Sequence, residues 1–77
     1  MVIEFTLSMT EIAKKFGKRI RMLREKKGFT QEALAFEADL HRAYIGQIER
    51  GEKTIGLENL EKLAKAFKIT PSKLIDF

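Results

Sequence analysis

Cysteine is absent from the chain, histidine and proline each occur once, and glycine occurs five times. Without cysteine there is neither a disulfide framework nor a thiolate zinc site, which fits a cytoplasmic address. A lone histidine, His41, cannot form a metal cluster or the base of a catalytic set with a thiol. No glycine-rich loop is present to cradle a phosphate, and the carboxylates mostly fit capping or helix-dipole roles. No enzyme, cofactor or metal site is therefore expected. No apolar run approaches the roughly 20 residues needed to cross a bilayer. The opening MVIEFTL lacks the positive flank of a signal peptide and carries Glu4 in its apolar part. Repeats and low-complexity segments are missing as well.

What is present is positive charge on a single small domain. The 77 residues carry a net charge of +4 with a pI near 9.6, which suggests a polyanionic partner. The distribution is uneven. Lys14, Lys15, Lys18, Arg19, Arg21, Arg24, Lys26 and Lys27 crowd one segment against the single acid Glu25, whereas Leu57 to Phe77 is nearly balanced. A chain this short closes a limited core, so dimerisation would help it.

The periodicity reads as all-α apart from the first residues. Val2 to Leu7 alternates apolar and polar positions, as a strand or a draped apolar extension would, and residues 1–7 are set apart from a domain at 8–77. Ser8 and Glu11 form a capping box, with Leu7 and Ile12 at the staple positions. Ile12, Phe16, Ile20 and Leu23 then recur at helical spacing until Gly28, and Gly17 inside this helix implies a close helix contact. Thr30 caps a second helix at about Gln31–Ala38, and Asp39 is placed in a left-handed turn. A third helix runs from His41 or Arg42 to Arg50 and stops at Gly51. Leu57, Leu60, Leu63, Ala64 and Phe67 mark a fourth, and Thr70-Pro71 starts a short fifth.

Two short amphipathic helices joined as tightly as those in Thr30–Arg50 can bury both apolar sides only by crossing steeply. That is helix-turn-helix geometry, and its second helix can enter a DNA major groove. At about 100° per residue, Ile45 and Ile48 face inward, while Arg42, Ala43, Gly46, Gln47 and Arg50 face outward. Arg42, at the N-terminal end of that face, can bond guanine O6 and N7 together. Gln47 can read adenine or reach a phosphate. Ala43 offers an apolar contact to a thymine methyl, and Gly46 lets the helix lie closer to the groove. Lys53 and Thr54, in the following loop, are candidate phosphate contacts, as is Arg50. Tyr44, between the two faces, either reaches a phosphate or is a plain core tyrosine. His41 is either a cap or a phosphate contact. Phe67, Ile69, Leu74, Ile75 and Phe77 exceed what a chain ending needs, and mark a two-fold interface.

Thr30-Gln31-Glu32, Leu34-Ala35, Leu40, Ile45, Ile48-Glu49-Arg50-Gly51 and Leu60 together resemble the Cro/CI-type helix-turn-helix family, also called the XRE family. The resemblance covers about Phe16 to Ile75. More narrowly, His41-Arg42-Ala43-Tyr44-Ile45-Gly46 followed by Ile48-Glu49-Arg50-Gly51 is similar to the controller proteins of restriction–modification systems. This chain has Asp39 where the family usually has glycine, Ala43 where controllers carry threonine, and Gly56 where they have serine. The resemblance implies a five-helix lambda-repressor-like domain that binds double-stranded DNA as a homodimer, at a pseudo-palindromic operator, to regulate transcription. It implies a phosphate contact at Gln31 and a structural ion pair between Arg24 and Glu49. An activator would also touch RNA polymerase. A competing expectation is an antitoxin-like module that uses the same fold to hold a partner protein.

Overall fold

The computed structural model describes the backbone of residues 2–77 and the side chains of residues 11–77. Five helices follow one another: α1 (Val2–Lys26), α2 (Gln31–Ala38), α3 (Arg42–Glu49), α4 (Leu57–Phe67) and α5 (Pro71–Leu74). There is no strand among the described residues. The alternating segment Val2 to Leu7 is therefore not extended; α1 begins at Val2 and runs through it. A lone strand leaves its backbone polar groups unpaired, whereas lengthening an existing helix adds one internal bond per residue. Ser8 consequently stands within the helix and not at its N-cap. The side-chain bonds of the expected capping box and staple involve Leu7 and Ser8 and lie outside the described side chains.

The other helix ends follow local chemistry. Thr30 Oγ1 accepts from the backbone N–H of Ala33 at 3.0 Å, opening α2. Thr70 Oγ1 accepts from Lys73 N–H at 3.3 Å, and Pro71 occupies the first turn of α5, where its missing N–H is not needed. α2 stops because Asp39 is left-handed, at φ 55° and ψ 47°. The Asp39 and Leu40 N–H groups then turn back to the carbonyls of Phe36 and Ala35, at 3.3 and 2.9 Å. Asp tolerates this conformation better than most residues with a Cβ, so the joint closes without glycine.

All five helices supply the core. Phe16, Ile20 and Leu23 of α1 meet Leu34, Ala35 and Ala38 of α2, Ile45 and Ile48 of α3, Leu63, Ala64 and Phe67 of α4, and Leu74 of α5. Ile45 and Ile48 are fully buried, each contributing about 1.5–3 kcal/mol of transfer free energy. Gly17 is where α1 and α3 touch. A Cβ there would land on the carbonyl oxygens of Ile48 and Glu49. α5 is tied to α1 by Arg19, whose Nη2 donates to Lys73 O at 2.6 Å and Nε to Leu74 O at 3.3 Å. Some of the cationic charge gathered in residues 14–27 is thus used internally, by Arg19 and by an Arg21–Glu25 pair at 3.4 Å.

Candidate nucleic-acid interface

α3 is anchored from behind. Arg24 of α1 donates from Nε and Nη2 to the two carboxylate oxygens of Glu49, at 2.6 and 3.1 Å. Its Nη1 donates to Phe29 O at 3.0 Å, and the amide of Gln31 donates to Glu49 Oε1 at 3.1 Å. The two charged side chains are 13% and 4% exposed, so a nearly dry carboxylate has three donors and a nearly dry guanidinium has three bonds. The hydrogen bond that Arg24 donates to Glu49 raises the Arg24 pKa above its ordinary value, outweighing the opposing effect of burial. Desolvation offsets much of the attraction in such a pair. Its clearer effect is to fix one helix against another.

The outer face of α3 forms a shallow concavity of about 380 Å³ lined by Gln31, His41, Arg42, Ala43, Gly46, Gln47 and Arg50. The structure thus gathers all four expected base-reading positions and three of the expected phosphate contacts on one surface. Arg42 is exposed and has no ion-pair partner among the described residues. His41 is the N-cap of α3: its Nδ1 accepts from Ala43 N–H at 3.2 Å. A ring nitrogen that accepts carries no proton, so neutral His41 keeps an N–H on Nε2 for a phosphate. Capping and phosphate contact are compatible here.

Other candidates have divided attachments. The Gln31 amide is engaged with Glu49, although Gln31 also opens α2, whose first-turn N–H groups favour an anion. Tyr44 packs against the core and accepts from Asn59 Nδ2 of α4 at 3.2 Å, leaving its own hydroxyl proton free. Lys53 and Thr54 do not join the concavity. They line a separate apolar groove of about 390 Å³ with Ile12, Ala13, Phe16, Ile55, Leu60, Ile75 and Phe77.

The expected two-fold interface needs correction. Phe67 and Leu74 are completely buried in the chain's own core, so their apolar surface is already removed from water. Phe67 packs on Phe29, with ring centroids 6.3 Å apart. Ile69 is half-buried, while Ile75 and Phe77 remain exposed, with Phe77 resting on Phe16 at 6.4 Å. Ile12 and Leu57, expected on inward-facing stripes, are 57% and 83% exposed. Ile12 lines the apolar groove instead, and Leu57 is the first residue of α4.

A helix-turn-helix family model matches residues 20–74, most of the chain. The control protein C.BamHI of Bacillus amyloliquefaciens is 49% identical over 63 residues, covering 80% of this chain and 78% of that protein. Among solved structures, the restriction-modification controller protein C.AhdI from Aeromonas hydrophila superposes with a TM-score of 0.78 at 48% identity, covering 80% of this chain and 94% of that one. SinR, a master regulator for biofilm formation solved in complex with DNA, superposes at 0.75 with 29% identity, over 79% of this chain and 98% of the chain in that structure. The chain belongs to the helix-turn-helix family, in its Cro/CI or XRE branch, and is a DNA-binding regulator of transcription.

Proposed function

We propose that the protein is a controller-type transcriptional regulator that reads a pseudo-palindromic operator as a homodimer, with α3 in the major groove. The observation that carries this is the two-sidedness of α3. Its inner face is fixed to α1 through Glu49 and Arg24, and its outer face offers Arg42 and Gln47 beside Ala43 and Gly46, with little else to do. Arg42 reads a guanine through paired N–H groups, and Gln47 supplies the second polar contact. Gln31, His41 and Tyr44 hold the register through phosphates, as do Lys53 and Thr54 from the loop edge. The restriction–modification setting is supported by the similarity to C.BamHI and C.AhdI.

The partner is a second copy of this chain, meeting it across Ile69, Ile75 and Phe77 with Ile12, Leu57 and Leu60 added. Ile12, Leu60, Ile75 and Phe77 line the apolar groove, and Ile12, Leu57, Ile75 and Phe77 leave apolar surface in water on one small chain. Two recognition helices would then stand about 34 Å apart.

The test is selection of bound duplexes from a random pool, followed by salt titration on the selected operator and a scrambled duplex. Tighter binding to the operator, with two half-sites one helical turn apart, is expected. Equal affinity for both duplexes would overturn the reading, because phosphate contacts alone carry no sequence information. Lys53→Ala should weaken both duplexes alike and lower the salt slope by about 1.8, about 0.9 for each subunit of the homodimer.

A further inference from the structure

Arg50 ends α3 beside a carboxylate that the sequence pattern gives no role. Its Nε donates to Glu52 Oε2 at 2.8 Å and its Nη2 to Glu52 Oε1 at 3.3 Å. The backbone fixes where Glu52 stands. Gly51, at φ +74°, ends the helix, and the N–H groups of Gly51 and Glu52 return to the carbonyls of Ile48 and Gln47, at 3.0 and 2.9 Å. Gly51 also lies so close to α1 that a Cβ would meet Lys14 Cγ at 2.8 Å. Glu52 is therefore held by the same close contacts that fix the far end of α3, although its side chain is in solvent.

The pairing places the guanidinium. Arg50 Nη1 lies 3.1 Å from the point where a Cβ of residue 46 would be, and Cζ lies 3.8 Å from it, so the planar group covers Gly46 on the outer face of α3. Glu52 uses Nε and one N–H of Nη2, and a guanidinium has five N–H groups. Three are left, including the adjacent pair on Nη1 and Nη2 that suits guanine O6 and N7. The bond between the two side chains raises the Arg50 pKa and lowers that of Glu52, so both stay charged at neutral pH.

We propose that Glu52 is a specificity-determining positioning residue, which holds Arg50 over Gly46 with its free edge available to a base and penalises DNA that offers Arg50 only phosphate. The inference rests on the reading of α3 as the groove-entering helix, and it makes Arg50 a base reader rather than a phosphate contact. On non-operator DNA, Arg50 is already neutralised, so it releases little counterion, and the Glu52 carboxylate repels the backbone. On the operator, the pre-set guanidinium bonds a base without first being ordered.

The test uses the full chain with operator and scrambled duplexes across a salt series, for wild type, Glu52→Gln, Arg50→Ala and the double variant. In Glu52→Gln, affinity for scrambled DNA should rise, with a salt slope steeper by about 1.8, about 0.9 for each subunit of the homodimer. The operator-to-scrambled ratio should fall about tenfold for each half-site, within the range of one lost paired base contact in each. Arg50→Ala should lower the ratio similarly, and adding Glu52→Gln to it should lower it no further. An unchanged ratio in Glu52→Gln, or an equal fall with and without Arg50, would overturn the role of Glu52 while leaving the operator reading intact. A wild-type protein that prefers neither duplex would overturn both.

Discussion

The two faces of α3 are built by opposite rules. On the inner face each position has more than one reason to be what it is. Ile45 and Ile48 are fully buried, Glu49 accepts from two residues at once, and the helix backbone lies against Gly17. On the outer face, Arg42 and Ala43 are exposed, Gln47 is half-buried and Gly46 is covered by the Arg50 side chain, so packing constrains little beyond residue 46. Rigid support and a lightly constrained surface suit a reading head. The frame sets where side chains stand, and substitutions on the surface change what is read without costing the fold.

The largest effect should come from closing the space behind the helix. Gly17→Ala puts a methyl group onto the Ile48 and Glu49 carbonyls, which can yield only if α1 and α3 separate. Overpacking against backbone should cost about 3 kcal/mol, against about 1 kcal/mol regained in helix propensity. Urea denaturation should show a net loss of about 2 kcal/mol or more. A more stable variant would mean that the inner face is not closely fitted.

Next comes a contrast between two arginine–glutamate pairs of similar geometry. Arg24–Glu49 closes at 2.6 Å with side chains 13% and 4% exposed, and Arg50–Glu52 at 2.8 Å with 59% and 52%. Glu49→Gln leaves a largely desolvated guanidinium short of its counter-charge and should cost about 2 kcal/mol, below the range for fully buried pairs because part of Arg24 stays wet. Glu52→Gln should leave the denaturation midpoint unchanged, because water already solvates both partners. Equal losses in the two variants would erase the distinction between the faces.

On the outer face the effect moves from folding to binding. Arg42→Ala should leave the denaturation midpoint within about 0.5 kcal/mol of wild type. It should weaken operator binding by about 1–3 kcal/mol for each half-site and relax preference at one base pair in each. If repeat selection from a random pool returned the same site, Arg42 would be a solvated surface residue and the reading would pass to Gln47 and Arg50.

The inner face was also the legible one. Periodicity identifies Ile45 and Ile48, a glycine inside a helix signals a close helix contact whose partner the structure shows to be α3, and Asp39 reads as the left-handed joint, because each reflects a local backbone or burial rule. The N-terminal segment misleads, since Val2 to Leu7 alternates like a strand yet belongs to α1. Period alone does not reveal whether a strand has anything to pair with. Phe67 and Leu74 mislead differently: an apolar residue near a chain end reads alike whether it closes its own core or awaits a partner. Glu52 carries no signal in the sequence, because its pairing depends on the chain reversing at Gly51. That reversal brings residues 50 and 52 together in a way no helical wheel displays.

The smallest effect is a titration. The hydrogen bond from Arg50 holds the Glu52 carboxyl below its ordinary value. A carboxyl depressed in the folded state contributes only above its unfolded value, and the contribution is lost as pH falls through the lowered one. At neutral pH the Arg50 clasp is therefore complete, and acid opens it. Side-chain carboxyl shifts followed by NMR should give a Glu52 midpoint that moves up in Arg50→Ala. That variant removes the hydrogen bond and charge holding the midpoint down while leaving the neighbouring Lys53 in place. An identical midpoint in both proteins would mean that the two side chains do not hold one another in solution, and the outer face of α3 would then be as unconstrained at Arg50 as it is at Arg42.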